Sequence, residues 1–175
     1  MLFRSAEATR FDHPADAVLS RFFREHPRMG GRDRSFVAET VFAALRHLLL
    51  LRHLAGGNDA RAALLLSLTR FQGVSLRELG AVLREGEPER LAAARDIRVE
   101  ELPVALQADL PQWVVDRLAR RAPDAEIIAL GRAMQVPAPL DLRVNTLRTS
   151  REEALKAFAA DGIEASPTQI GRAHV

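Results

Sequence analysis

The sequence predicts a mainly α-helical chain whose last part changes to a mixed α+β texture. Through about residue 135, apolar residues recur at helical spacing between stops that carry Pro or Gly. Pro137-Ala138-Pro139 then forms a rigid break, and Leu140 to Val144 alternates apolar and charged residues as a strand does. A capped helix and the beginning of a second alternating run come next, the pattern of a first β-α-β. At 175 residues the chain has room for one large domain, or for a small domain and part of another.

Each element has a local reason. Pro14 after Asp12-His13 suits a helix start, and Val18, Leu19, Phe22 and Phe23 recur at helical spacing until Pro27 through Gly31 stop them. Phe36, Val37, Thr40, Val41, Ala44, Leu45, Leu48 and Leu49 step by one and three. They predict one continuous helix with a wide apolar face, ended by Gly56-Gly57. Asn58 or Asp59 can cap a third helix through Leu65, Leu68 and Phe71. Ser75 with Glu78 reads as a capping box opening a short fourth. Gly86 and Pro88 break the pattern, so residues of about 86 to 109 are expected to form a short helix and an irregular connection. Pro111 opens a helix with Trp113, Val114 and Leu118, and Pro123 another with Ile127, Ile128 and Leu130.

Beyond the Pro-rich break, Ser150 and Glu153 form a second capping box. The helix behind it carries Leu155 and Phe158, Gly162 ends it, and Ile163 to Ala165 begins the second strand. The expected organisation is a helical N-terminal domain over 1–109, connecting helices over 110–136, and the start of a small α+β domain over 137–168. No internal repeat or low-complexity tract interrupts it.

Composition excludes more than it selects. The chain is 47% hydrophobic and 27% charged, as soluble globular chains are, and a formal net charge of +2 argues only weakly for any partner. Arginine dominates the basic side, with Lys156 the only lysine. Codon bias in a GC-rich genome explains this, and so does a need for guanidinium groups against phosphates and stacked bases. The absence of cysteine removes disulfides, thiolate zinc sites and cysteine nucleophiles. No secretory signal opens the chain, and the longest apolar runs, such as Ala62 to Leu66, are far too short to span a membrane. A cytoplasmic location without membrane contact is expected.

Ile170-Gly171-Arg172-Ala173-His174-Val175 matches the translation of a common sequencing-library adapter, and Gln169 fits the codon that would precede it. Residues 170–175 are therefore expected to be an artefact and the reading frame to be interrupted near Thr168. The alternative is a native loop with a metal-capable His174.

Catalytic chemistry is not visible in the residues. No Ser sits in a glycine-flanked elbow, and no Gly-rich loop comes after a strand, so phosphate-loop and dinucleotide fingerprints are missing. His47 and His53 lie six apart rather than at the spacing of a helical metal pair, and a solvated helix flank is expected for both. Glu152-Glu153 stands where a helix dipole favours negative charge and needs no catalytic role. Three basic groups stand out: Arg32 with Arg34, Arg117 with Arg120 and Arg121, and Arg143 with Arg148 and Arg151. Each fits either a solvated face or a phosphate contact. The residues alone indicate a helical module able to bind nucleic acid, with no metal site.

Two stretches carry a resemblance. Arg32-Asp33-Arg34-Ser35-Phe36-Val37-Ala38-Glu39-Thr40-Val41-Phe42 with Leu45-Arg46 resembles the early helix of the NOL1/NOP2/Sun family of RNA cytosine-5 methyltransferases. Leu110-Pro111-Gln112-Trp113-Val114-Val115-Asp116-Arg117-Leu118 is similar to that family's helix before the catalytic half. Pro139 to Glu153, with its Arg143-Val144-Asn145-Thr146 block, and Gly162 to Thr168 complete the match.

The resemblance, closest to the bacterial Sun/RsmB-like ribosomal type, implies an enzyme that methylates carbon 5 of a cytosine in small-subunit ribosomal RNA. The methyl donor in that family is S-adenosylmethionine, and two cysteines serve the chemistry. Neither the cysteines nor a cofactor loop is present here, so the resemblance implies an inactive N-terminal, RNA-binding fragment with no cofactor of its own. Its helical part would resemble the NusB fold. Arg143, Asn145 and Arg148, with Arg32 and Arg34, are the RNA-facing residues so implied. Asn145 fits a turn-fixing role equally well, and Trp113 is expected to pack the helical domain against the next domain. The alternatives are a free-standing NusB-like RNA-binding or antitermination factor and a helical protein adaptor.

Overall fold

A computed structural model describes Thr9 and residues 11–136 and 140–168 of the protein. The Pro137-Ala138-Pro139 break and the adapter-like tail lie outside the described residues. The fold is mainly helical, and the chain divides into two compact units, Met1–Val136 and Pro137–Val175.

The first unit begins with α1 (Ala15–Glu25) and α2 (Gly31–Arg46). Val18, Leu19 and Phe22 of α1 bury against Val37 and Val41 of α2, as their spacing predicts. The next helix departs from expectation. Instead of one helix running to the Gly pair, α2 ends at Arg46 and α3 (Leu48–Leu54) begins after His47. In an unbroken helix Leu50 N would donate to the carbonyl four residues back. Here it donates to Asp109 Oδ1 at 3.0 Å, an acceptor inserted from 59 residues downstream. The exit from α3 is as expected, with Gly57 N returning to Arg52 O at 2.9 Å.

Asp59 caps α4 (Ala60–Phe71) by accepting from Arg61 N and Ala62 N. All residues from Ala63 through Leu68 of α4 are buried, which leaves no solvent face along that stretch. α4 is accordingly the central element, packed by α2, α3 and α6 (Glu87–Asp96). Around it Leu50, Leu51, Leu54, Leu79 and Leu91 complete the largest core cluster. The Ser75–Glu78 capping box is present and opens α5 (Leu76–Leu79). Gly86 and Pro88, read as breakers, serve instead as the entry to α6, with Gly86 in the left-handed region and Pro88 in the first turn.

The chain then passes through a 3-10 turn (Val99–Glu101) into α7 (Val104–Gln107), α8 (Gln112–Leu118) and α9 (Asp124–Gln135). Ala105, Ala108, Val115 and Ile127 form their core. Gly131 of α9 lies against the backbone of Ala108 so closely that a Cβ there would sit 2.2 Å from Ala108 O. α7 also touches α3, so these helices belong to the first unit.

The second unit holds α10 (Arg151–Ala160), and the expected strands are not formed. Leu140 to Val144 and Ile163 to Ala165 make no strand ladder among the described residues. Alternation is a local property of sequence, whereas a strand exists only when another backbone pairs with it. Leu140 and Leu142, at 84% and 63% exposure, meet no covering layer. Among the described residues no helix is long and apolar enough to cross a membrane.

Candidate nucleic-acid interface

The junction between Arg143 and Glu153 is held by short-range hydrogen bonds. Asn145 Oδ1 accepts from Leu147 N at 3.1 Å, closing an Asx turn, and Asn145 O accepts from Arg148 N at 2.9 Å and Thr149 N at 3.2 Å. Ser150 Oγ then accepts from Glu153 N at 3.1 Å, while the Glu153 carboxylate accepts from Ser150 N at 3.0 Å and from the Thr149 hydroxyl at 3.1 Å. The Ser150 amide and then the Thr149 hydroxyl hold Glu153 below the usual carboxylate range. Glu153 is thereby committed to the cap.

Arg143, Arg148 and Arg151 project from this frame and are exposed. Among the described residues none of the three side chains has a carboxylate partner. Asn145 is exposed too, but its carbonyl oxygen is spent on the turn, leaving its amide nitrogen outward as a donor.

Arg32 and Arg34 fall in the other unit, at the start of α2. Arg34 Nε donates to Met29 O at 3.0 Å, and its guanidinium lies 5.7 Å from the Phe23 ring centroid. It fastens the α1–α2 turn. Arg32 is exposed and makes no salt bridge among the described residues. An open groove of about 500 Å³ beside this turn is lined by Glu25 and Asp33 together with His26 and Arg28, a mixed lining that does not favour a polyanion.

Other arginines are consumed by the fold. Arg61 grips Glu87 with two bonds of 2.6 and 2.9 Å and also reaches Val82 O. Arg70 closes on the carbonyls of Ala94, Arg95 and Ile97, and Arg90 on that of Ala55. The guanidinium excess thus has a structural share that composition could not separate from a binding share.

One side chain sits differently from expectation. His47, expected on a solvated flank, is half-buried, stacked on Phe71 at 3.8 Å between ring centroids, with Nδ1 3.4 Å from Asp109 Oδ2. His53 is exposed, as expected. Trp113 stands 65% exposed on α8. Among the described residues no group of three or more His, Cys, Asp or Glu is gathered to hold a metal.

Residues 110–173 match the family model described as Methyltr_RsmF/B-like, ferredoxin-like domain. That part of the chain is therefore similar to a domain of RsmF/B-like methyltransferases, and it takes in α8, α9, the capped junction and α10. Neither the comparison with curated proteins nor that with solved structures gave a match.

Proposed function

We propose that the chain is the N-terminal, RNA-positioning portion of an S-adenosylmethionine-dependent ribosomal-RNA cytosine-5 methyltransferase of the Sun/RsmB-like type. The match of residues 110–173 to an RsmF/B-like ferredoxin-like domain carries this reading. The resemblance of the α2 sequence to the same family supports it from the other unit. Arg143 and Arg148 contact phosphate, the Asn145 amide assists them, and Arg32 adds a contact from α2, with Arg34 holding the turn that presents it. Methyl transfer, and S-adenosylmethionine with it, belongs to a catalytic domain outside these residues. The family's reaction uses cysteines, and this chain has none.

A β-α-β start explains the unpaired segments. In the split β-α-β of ferredoxin-like folds the two parallel strands flank another strand between them. Residues 140–168 supply the flanking segments and the helix but no strand to lie between. A NusB-like antitermination factor, the second reading, draws on the helical character of the first unit but gives residues 140–168 no task.

Two measurements test the proposal. Small-subunit ribosomal RNA should bind the chain with an affinity whose logarithm falls linearly as log salt rises, because phosphate contacts release counterions. The same preparation should transfer no methyl group from S-adenosylmethionine to that RNA. Salt-independent binding removes the RNA role, and detectable transfer removes the assignment of chemistry elsewhere.

A further inference from the structure

Helix α8 and the turn continuing it have two unlike faces. The helix ends at Leu118 and passes into a tight turn, where Arg121 N and Ala122 N both donate to Leu118 O, at 2.8 and 3.0 Å. Val115 is buried on one face, with Leu118 and Ala122 packed beside it in the core around Ile127. The other face carries Trp113, Arg117, Arg120 and Arg121, all exposed. Trp113 and Arg117, at i and i+4, share one helix face, and Arg120 and Arg121 extend that stripe in the turn after Leu118. At 1.5 Å rise per residue, Arg117 lies about 6 Å along the helix axis from Trp113.

None of these three arginines makes a salt bridge or side-chain hydrogen bond among the described residues, unlike Arg34, Arg61 and Arg70. The carboxylates nearest along the chain are accounted for. Asp116 accepts from the Gln112 amide at 2.8 Å. Asp124 and Glu126 occupy the first turn of α9, where the helix dipole favours them. What remains on the stripe is an exposed indole beside guanidinium groups that have no carboxylate partner among the described residues.

We infer that this stripe is a second RNA contact, in which Trp113 stacks on an unpaired base while Arg117 and Arg120 hold the neighbouring phosphates. It rests on the RNA-binding reading above and adds a site to it. The occupant is single-stranded, because an indole needs the open face of an unstacked base and duplex RNA offers none along its length. A protein surface would bury the indole among apolar neighbours, whereas here its neighbour at i+4 is a cation and two more follow in the turn. Arg121 broadens the positive edge.

The chain contains one tryptophan and no tyrosine, so indole emission reports on Trp113 alone. The test titrates the whole chain with an end-labelled single-stranded oligoribonucleotide, following label anisotropy and Trp113 emission together. Emission should be quenched in step with anisotropy, and the same sequence annealed into a duplex should leave it unquenched. Trp113→Ala should weaken binding roughly tenfold, with Trp113→Phe restoring most of it. Arg117→Ala with Arg120→Ala should flatten the salt slope by about one per arginine. Far-ultraviolet circular dichroism should be unchanged in every variant, since the replaced side chains are exposed. Anisotropy rising with emission constant would overturn the stripe and leave RNA binding elsewhere intact. No change in either signal would overturn both readings. Emission that shifts with protein concentration, without RNA, would assign Trp113 to a contact between copies and overturn the stripe.

Discussion

At Asp109 one side chain decides how two helices meet. Its backbone sits at φ 51, a left-handed position that Asp tolerates better than most residues. Its carboxylate reaches back to Leu50 N at 3.0 Å and faces His47 at 3.4 Å. Asp109→Ala leaves Leu50 N without its acceptor and should cost about 2 kcal/mol in urea denaturation. Asp109→Asn keeps an acceptor oxygen and the backbone tolerance, so it should lose clearly less. Equal losses would show that the carboxylate oxygen is not what holds the helix start. Gly131 decides a second contact. In a helix interior Gly→Ala ordinarily gains about 1 kcal/mol. Here the added carbon would strike the Ala108 carbonyl, and forced repacking costs about 1–3 kcal/mol. Repulsion wins, so Gly131→Ala should lower the denaturation midpoint. A raised midpoint would mean that the α9 backbone does not rest on Ala108.

Among the elements, what sequence reveals is whatever is settled within a turn or two. The caps at Asp59, Ser75 and Ser150 and the Gly57 stop bond to residues a few positions away, so their spelling is their mechanism. The break at His47 is invisible in sequence because its cause lies at Asp109. Strands failed for the related reason that alternation marks a face but cannot supply a partner. The α4–α6 contact shows an element-scale link that only structure reveals. Arg61 of α4 holds Glu87 of α6, and its bonds, aided by the Arg84 amide, bring the Glu87 carboxyl down to about 2 from an ordinary 4.5. A lowered folded value means stability that is fully present above 4.5 and is lost as pH falls toward 2. Arg61→Ala should cost about 2 kcal/mol near neutrality, and that gap should shrink between those two pH values. A small residue of the gap should persist from the Arg61 bond to Val82 O. A gap constant from neutrality to acid would show that the Glu87 pair carries none of the energy.

On the scale of the whole molecule, the mainly helical content is legible in sequence, because helical periodicity is a local signal. The candidate site is legible only in part. The sequence marks Arg32, Arg34, Arg143 and Arg148 alike, yet Arg34 is tied to Met29 O while the others are exposed. Sorting arginines that build the fold from arginines that face outward needs coordinates. The exposed set is what the proposed RNA-positioning role draws on, and its two groups lie in separate units.

The most direct measurement is anisotropy of labelled small-subunit ribosomal RNA against salt, for the chain and for the variant carrying Arg143→Ala and Arg148→Ala. The chain should give a straight negative slope of log affinity on log salt, and the variant a weaker affinity with a slope shallower by about one per arginine removed. Slopes and affinities that coincide would remove the junction from the RNA interface. A flat line for the unaltered chain would contradict the RNA-positioning role itself.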